Sequence, residues 1–377
     1  MLQAVKSTGD FRLDLFSTAT YSTVCVAGQH RRLSSRQQSC RCDLIITKGQ
    51  AQSLHLTRSK ACQRPTVPLM ATHPSRAASD MFSQLKQIAL EAAKTGAEVV
   101  HEALEKPRNI HFKGVTDLVT DTDRASEEAI LKVLQQQVPD HGFLGEEGGV
   151  SGNADSEYLW CIDPIDGTTN FAAGYPSFGV SVAVLHKAVP VAAAVIEFAG
   201  GPTAWVTRTF TASQGAGAHC NGKELRVTQT SDVTQSLLVT GFGYEHDEAW
   251  SANMELFKEL TDVSRGVRRL GAAAIDLCHV ALGVSDGFWE FRLKPWDCAA
   301  GVLMVQEAGG TVTTMTGDPY TVFHRTTLAC TPGLHKRLLE SLKPKTECLI
   351  QQGYPLGTWY VPEVYEQYVK QASSQQQ

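Results

Sequence analysis

Residues 158–170 read Tyr-Leu-Trp-Cys-Ile-Asp-Pro-Ile-Asp-Gly-Thr-Thr-Asn, an apolar run that meets two carboxylates inside a segment carrying proline and glycine. Tyr158 to Ile162 has the aromatic and branched composition of a buried strand, and Pro164 and Gly167 are expected to stop it. Asp163 and Asp166 should therefore hang from a rigid strand end. Two hard oxygen donors, the carbonyl of Ile165 and the hydroxyls of Thr168 and Thr169 suit magnesium, which prefers carboxylate, carbonyl and water to imidazole or thiolate. Taken alone, the same pattern also fits aspartates that only close a turn onto the backbone. The rest of the chain has to separate the two readings.

Leu144-Gly145-Glu146-Glu147-Gly148 ends a second apolar approach, and Lys294-Pro295-Trp296-Asp297-Cys298-Ala299-Ala300-Gly301 opens a small-residue helix with an aspartate in its first turn. Asp117-Leu118-Val119-Thr120-Asp121-Thr122-Asp123, Gly271-Ala272-Ala273-Ala274 and Glu290 complete the set. From about Met81 to about Leu342 these segments resemble the inositol monophosphatase family of magnesium-dependent, lithium-sensitive phosphatases. The wording from Trp289 to Asp297 is most similar to the plastid-type branch of plants and algae. The resemblance implies an α+β fold, the five-layer αβαβα sandwich of the inositol monophosphatase / fructose-1,6-bisphosphatase type, in a homodimer. It also implies hydrolysis of a small-molecule phosphate monoester by in-line attack of water, with no phosphoenzyme and with about two to three Mg²⁺ ions per subunit.

By position in the family's motifs, Glu146, Asp163 and the Ile165 carbonyl are implied to hold the ion that acidifies the attacking water. Asp163 would bridge to a second ion completed by Asp166 and Asp297, and a weaker third would share Glu146. Thr168, in reach of Asp123, resembles the pair that orients the water, so the implied catalytic set is Thr168, Asp123 and Glu146. Asp166, Gly167 and Thr168 are expected to start a helix whose free N–H groups would face the phosphate. Ala273, through its backbone N–H, together with Glu290 and Asp297, is implied to meet the leaving alcohol. A carboxylate at Glu290 favours a neutral polyhydroxylated ring over a second phosphate, which points to myo-inositol 1-phosphate. Histidinol phosphate and L-galactose 1-phosphate are alternatives on the same fold. A non-catalytic regulatory or binding homologue is the alternative of another class, disfavoured by the joint presence of Glu146, Asp163, Asp166, Thr168 and Asp297. Lys113 stands one residue closer to Asp117 than the family's pattern and stays outside the catalytic set. Structural roles suit Glu147, Asp117 and Asp121.

Residues 1–79 hold eleven Lys plus Arg against three acids, with ten serines and no compact apolar segment. That is the composition of an organelle transit peptide and linker; the plastid-type resemblance implies a chloroplast one and a mature protein in the stroma. A basic arm for nucleic acid is the other reading of such a stretch. The remainder, residues 80–377, keeps 23 basic against 36 acidic residues, a net charge of −13. Such an acidic body argues against sequence-independent nucleic-acid binding. No apolar run is long enough to span a membrane. The six cysteines beyond the leader show no zinc spacing and read as reduced, buried thiols. No HExxH, GxSxG or Walker pattern occurs.

The apolar stripe of Phe82, Leu85, Ala89, Ala92, Val99 and Ala103 predicts a helix over residues 81–104, and a second should follow Asp123. Strands are expected at 179–185 and 191–198 about a Pro190 turn, and Asn221-Gly222 marks a hairpin. From Leu237 strands and helices alternate, ending in a helix from Gly333 to Leu342 behind Thr331-Pro332. The catalytic domain is thus expected over residues 80–342, with a C-terminal extension at 343–377 whose end, Gln371 to Gln377, reads as unstructured.

Overall fold

Helices cover both faces of the larger sheet, so its central strands read as unbroken apolar runs and not as alternating ones. The computed structural model describes residues 74–106, 110–112, 118–359 and 361–375; the leader to residue 73, with Lys113 and Asp117, lies outside them. In chain order the elements are α1 (Arg76–Ala103), β1 (Ile110–Phe112), β2 (Leu118–Thr120), α2 (Asp121–Gln137), β3 (Gly142–Gly145), β4 (Gly149–Gly152), β5 (Tyr158–Asp166), α3 (Thr168–Ala173), β6 (Phe178–His186), β7 (Val189–Ala199), β8 (Val206–Ser213), β9 (Ala218–Cys220) and β10 (Lys223–Glu224). Then follow β11 (Leu237–Thr240), α4 (Glu248–Val263), β12 (Gly266–Arg268), α5 (Ala273–Ala281), β13 (Gly287–Phe291), α6 (Pro295–Glu307), β14 (Thr311–Thr313), β15 (Thr326–Cys330), α7 (His335–Gln351) and α8 (Glu363–Gln375).

An eight-stranded sheet has the order β10-β9-β8-β7-β6-β5-β3-β4, and a five-stranded sheet the order β12-β11-β13-β15-β14. Strand parity sorts the layers. On β6, Phe178, Val180, Val182 and Val184 pack with α1 and α2, whereas Ala183 and Leu185 join the layer of α5 and α6. On β13, Phe288 faces that same α5/α6 layer, while Trp289 and Phe291 face α4 and α7. The result is an α+β sandwich of five layers: α1/α2, the larger sheet, α5/α6, the smaller sheet, α4/α7. No helix among the described residues is long and apolar enough to cross a membrane.

Four local expectations are corrected. The strand carrying the two aspartates does not stop at Ile162; β5 runs on to Asp166, with its register against β6 shifting between Asp163 and Asp166. A bulge leaves ladder positions unpaired, which is where a proline without an N–H is tolerated. The turn between β6 and β7 is not at Pro190 but at Lys187 and Ala188, with φ of 52° and 65°. Two consecutive left-handed residues match the twist of a two-residue hairpin connection; Ala188 is buried there, and the Lys187 N–H donates to Glu157 O at 2.9 Å. Pro190 lies within β7, beside the register shift at Val184/Leu185.

The last core helix, α7, starts at His335 without a side-chain cap and continues through Pro344 to Gln351, past the expected end at Leu342. An interior proline costs about 3 kcal/mol; beyond it Leu349 packs into the α4/α7 core, and Thr346 is buried with its hydroxyl donating to Leu342 O. At the C-terminus, α8 extends to Gln375 where an unstructured end was expected from Gln371, and its Tyr365 and Val369 join the α5/α6 core. Cys161, Cys220, Cys278, Cys298 and Cys330 are free and buried, whereas Cys348 is exposed.

Candidate active site

Strand ends and helix starts converge on one place. The N–H of Glu146, just past β3, donates to Ile162 O at 3.1 Å, which ties it to the neighbouring strand β5. The bulge in β5 turns Asp163 and Asp166 inward, 2% and 5% exposed, with the fully buried Ile165 between them. The Ile165 N–H donates to Asp163 Oδ1 at 3.1 Å. Asp297 sits in the first turn of α6, where its Oδ2 accepts from Lys294 N at 2.7 Å. Asp166 Oδ2 accepts from Ile275 N at 3.0 Å in the first turn of α5, and the backbone of Ala273 hydrogen bonds it as well.

Acidic groups dominate the electrostatics of the cluster. Burial pushes Asp163 well above the usual carboxylate range, and Glu146, Asp166, Asp297 and Asp123 add repulsion. Asp166 is pushed up to about 8 by burial against the pull of the Ile275 and Ala273 N–H groups. Glu290, on β13, is pushed up to about 8 by burial and by Asp297, with Arg269 opposing. Among the described residues no three His, Cys, Asp or Glu side chains already close on one point as a coordination shell. The donor set nevertheless consists of carboxylate and carbonyl oxygens only, and its accumulated negative charge is what a hard divalent cation would relieve.

Thr168 and Asp123 meet as the motifs imply. Thr168 Oγ1 is 3.0 Å from Asp123 Oδ1 and 3.1 Å from Ile165 O. The other oxygen, Asp123 Oδ2, accepts from Thr120 N at 2.8 Å and from Thr120 Oγ1 at 2.5 Å. Burial pushes Asp123 up to about 6, with the Thr120 and Thr168 hydrogen bonds restraining the rise. Gly167 links these groups to α3 with φ of 87°; a Cβ there would stand 3.0 Å from Ser177 O and 3.1 Å from Ala272 Cβ. Glu290 belongs to the Asp297 and Asp166 side of the cluster. A Cβ at Gly241 would fall 2.1 Å from Glu290 Oε2, so the β11 end must lack a side chain for Glu290 to sit there.

Several supporting residues were not singled out from the sequence. Thr120 forms a capping box on α2 with the already implicated Asp123, a Thr-x-x-Asp signal legible in the chain. Glu127, one helical turn after Asp123, accepts from Glu147 N at 2.9 Å and Gly148 N at 2.6 Å and so fixes the loop after Glu146; the i,i+4 spacing was its only signal. Asn170 Nδ2 donates to Ser177 O at 2.6 Å and Leu270 O at 2.7 Å, which joins α3 to the approach to α5. Nothing local in the sequence marks that long-range bridge. Asp276, buried on α5 with neither oxygen hydrogen bonded among the described residues, is held well above the usual range by burial. Glu147 contributes its backbone N–H to Glu127, and exposed Asp121 lies 3.2 Å from His111 Nε2.

An α/β/α/β/α sandwich with an oxygen-lined cluster where its two sheets' strand ends meet α2, α3, α5 and α6 defines a metal-dependent phosphatase class. The chain belongs to the inositol monophosphatase family, whose family model matches residues 81–350. It is 61% identical over 283 residues to the chloroplastic phosphatase IMPL1 of Arabidopsis thaliana, covering 75% of this chain and 76% of that protein. It is 39% identical over 263 residues to the Nus factor SuhB of Pseudomonas aeruginosa, covering 68% and 95%. Among solved structures, inositol monophosphatase from Anabaena (Nostoc) sp. PCC 7120 matches with a TM-score of 0.62 and 38% identity, over 70% of this chain and 97% of that one. The protein is accordingly a phosphatase of this family, which acts on small-molecule phosphate esters.

Proposed function

We propose that the protein hydrolyses myo-inositol 1-phosphate to myo-inositol and phosphate with Mg²⁺, as a homodimer in the chloroplast stroma. Glu146, Asp163, the Ile165 carbonyl, Asp166 and Asp297 would hold about two to three ions. Bound there, magnesium would supply charge to neutralise the ester's phosphate and would make water nucleophilic at neutral pH. Thr168 and Asp123 would orient that water. With its proton given to Asp123 Oδ1, Thr168 Oγ1 keeps lone pairs to accept from the water. Asp123 cannot swing away, because Thr120 holds its other oxygen twice. The N–H groups of Gly167 and Thr168 at the start of α3 suit the phosphate oxygens.

The observation that carries this reading is the buried Asp163 ringed by Glu146, Asp166, Asp297 and Asp123, with the Thr168–Asp123 pair beside it. The substrate assignment is supported by Glu290 on the Asp297/Asp166 side, where a carboxyl group can accept hydroxyls of a polyol, with the Ala273 N–H close by. The plastid assignment is supported by the leader's composition over residues 1–79 and by the word chloroplastic in the Arabidopsis relative's name. The homodimer is supported by the family resemblance.

Phosphate release by the full-length chain from myo-inositol 1-phosphate, L-galactose 1-phosphate and histidinol phosphate, with Mg²⁺ and with chelator, tests the reading. Highest kcat/KM on the inositol ester upholds it. A preference for histidinol phosphate would make Glu290 an amine partner, and failure on every ester would favour the non-catalytic regulatory or binding alternative.

A further inference from the structure

Arg292 adopts a backbone conformation its residue type disfavours. Its φ is 66°, in the left-handed region where a Cβ crowds the backbone and glycine is the usual occupant. It follows β13 directly, between Glu290 and Asp297. The Arg292 N–H donates to Arg325 O at 2.5 Å, which holds the turn in place.

From this turn the side chain, 15% exposed, reaches the segment joining β11 to α4. Nη1 donates to Glu245 Oε2 at 2.6 Å, and Nη2 donates to Asp247 Oδ2. Asp247 meanwhile caps α4, its Oδ1 accepting from Ala249 N and Trp250 N at 3.1 Å each. The Glu245 carboxylate is 78% exposed and adds little; Asp247, 26% exposed, is the pair screened least by water. The other end of the segment is pinned independently. Asn253 Nδ2 donates to Gly241 O at 2.7 Å, and Asn253 Oδ1 accepts from Trp289 Nε1 at 2.7 Å. Gly241 itself lies against the Glu290 carboxylate. Residues 241–247 are thus fastened at both ends to the strand that bears Glu290.

We propose that Arg292 is a positioning residue for the leaving alcohol: its ion pair with Asp247 holds residues 241–247 as a wall beside Glu290 and so sets which alcohol fits. The inference rests on the assignment of Glu290 to the polyol in the proposed function. A left-handed turn directs this side chain toward residues 245–247, so the strained backbone and the ion pairs act together. Glycine would relax the turn and release the wall. In the proposed function the phosphate end of the substrate would lie on the β5 side and should not sense the change.

The test uses the full-length enzyme with Mg²⁺ and two substrates, myo-inositol 1-phosphate and 4-nitrophenyl phosphate, which lacks ring hydroxyls. Arg292→Gly should raise KM for the inositol ester about tenfold while leaving kcat on the aryl ester within about twofold, with the melting temperature near wild type. Asp247→Asn keeps a capping oxygen and removes the charge, and should shift KM the same way by a smaller factor. Equal losses on both substrates, or an unchanged KM for the inositol ester in both variants, would overturn the inference. Glu290→Gln is measured alongside. If it discriminates between the substrates and the Arg292 variant does not, this inference falls and the reading of Glu290 stands; if Glu290→Gln fails to discriminate, both fall.

Discussion

The β5 side of the site and the β13 side present acidic groups in different ways. At β5, acidic groups act on one another: Asp163 and Asp166 flank a register shift, Glu146 and Asp297 add repulsion, and backbone N–H groups of Ile165, Ile275 and Ala273 hold the oxygens. At β13, Glu290, with Asp297 and Arg269 acting on it, is seated by shape against a Gly241 that leaves it room, and residues 241–247 are held by side chains, Asn253 at one end and Arg292 at the other. Crowded, backbone-fixed charge calls for a cation and tolerates no change of ligand. Shape and side-chain fastening can vary without touching the chemistry. The first region should therefore govern turnover on every ester and the second the choice of alcohol.

The harshest test of that division is Asp163→Asn, which should lower kcat at least about 10³-fold on inositol and aryl esters alike. Steady-state phosphate release checks it, and a loss on one ester only would break the comparison. Thr168→Ala should cost about 10²-fold on both substrates with Mg²⁺ dependence retained, while Thr168→Ser, which restores the hydroxyl, should recover most of it. A silent Thr168→Ala would remove the water-orienting role. Glu290→Gln should cost about 1–3 kcal/mol in kcat/KM on myo-inositol 1-phosphate and almost nothing on the aryl ester.

The smallest effect concerns stability in the absence of metal. Asp166 and Glu290 are held up to about 8 and Asp123 to about 6, all above their unfolded values near 4. A raised carboxyl favours the fold while it stays protonated, so its contribution is complete below about pH 4 and is lost as pH rises through about 6 to 8. Metal-stripped protein should melt a few degrees lower at pH 8 than at pH 5, by scanning calorimetry, and saturating Mg²⁺ should narrow the gap. A stripped protein that grows more stable toward pH 8 would show that the cluster is not the uncompensated charge described here.

The layers were legible because amphipathic or wholly apolar periodicity betrays which faces are covered: Phe82 to Ala103 announces α1, and Asn221-Gly222, with φ of 49° and 77°, closes the expected hairpin. Motif residues spread from Asp123 to Asp297 could be grouped through the family resemblance, and the fold gathers them in one place. What escaped were effects of tertiary contact. Pro164 reads as a strand breaker until a bulge absorbs it, and Pro344 as a helix end until Thr346 and Leu349 are buried beyond it. Lys187-Ala188 carries none of the usual turn residues, so its left-handed geometry is invisible before the strands pair. The bridge from Asn170 to Leu270 and the clamp from Arg292 to Asp247 join segments distant in sequence, and no local pattern encodes them.

The central claim is that the β5 cluster works only with a divalent cation. Its most direct measurement is phosphate release from myo-inositol 1-phosphate by full-length protein stripped with chelator and then titrated with MgCl₂. The account predicts no release from the stripped protein, saturable recovery with Mg²⁺ and inhibition of the recovered activity by Li⁺; release at an undiminished rate in chelator would contradict it.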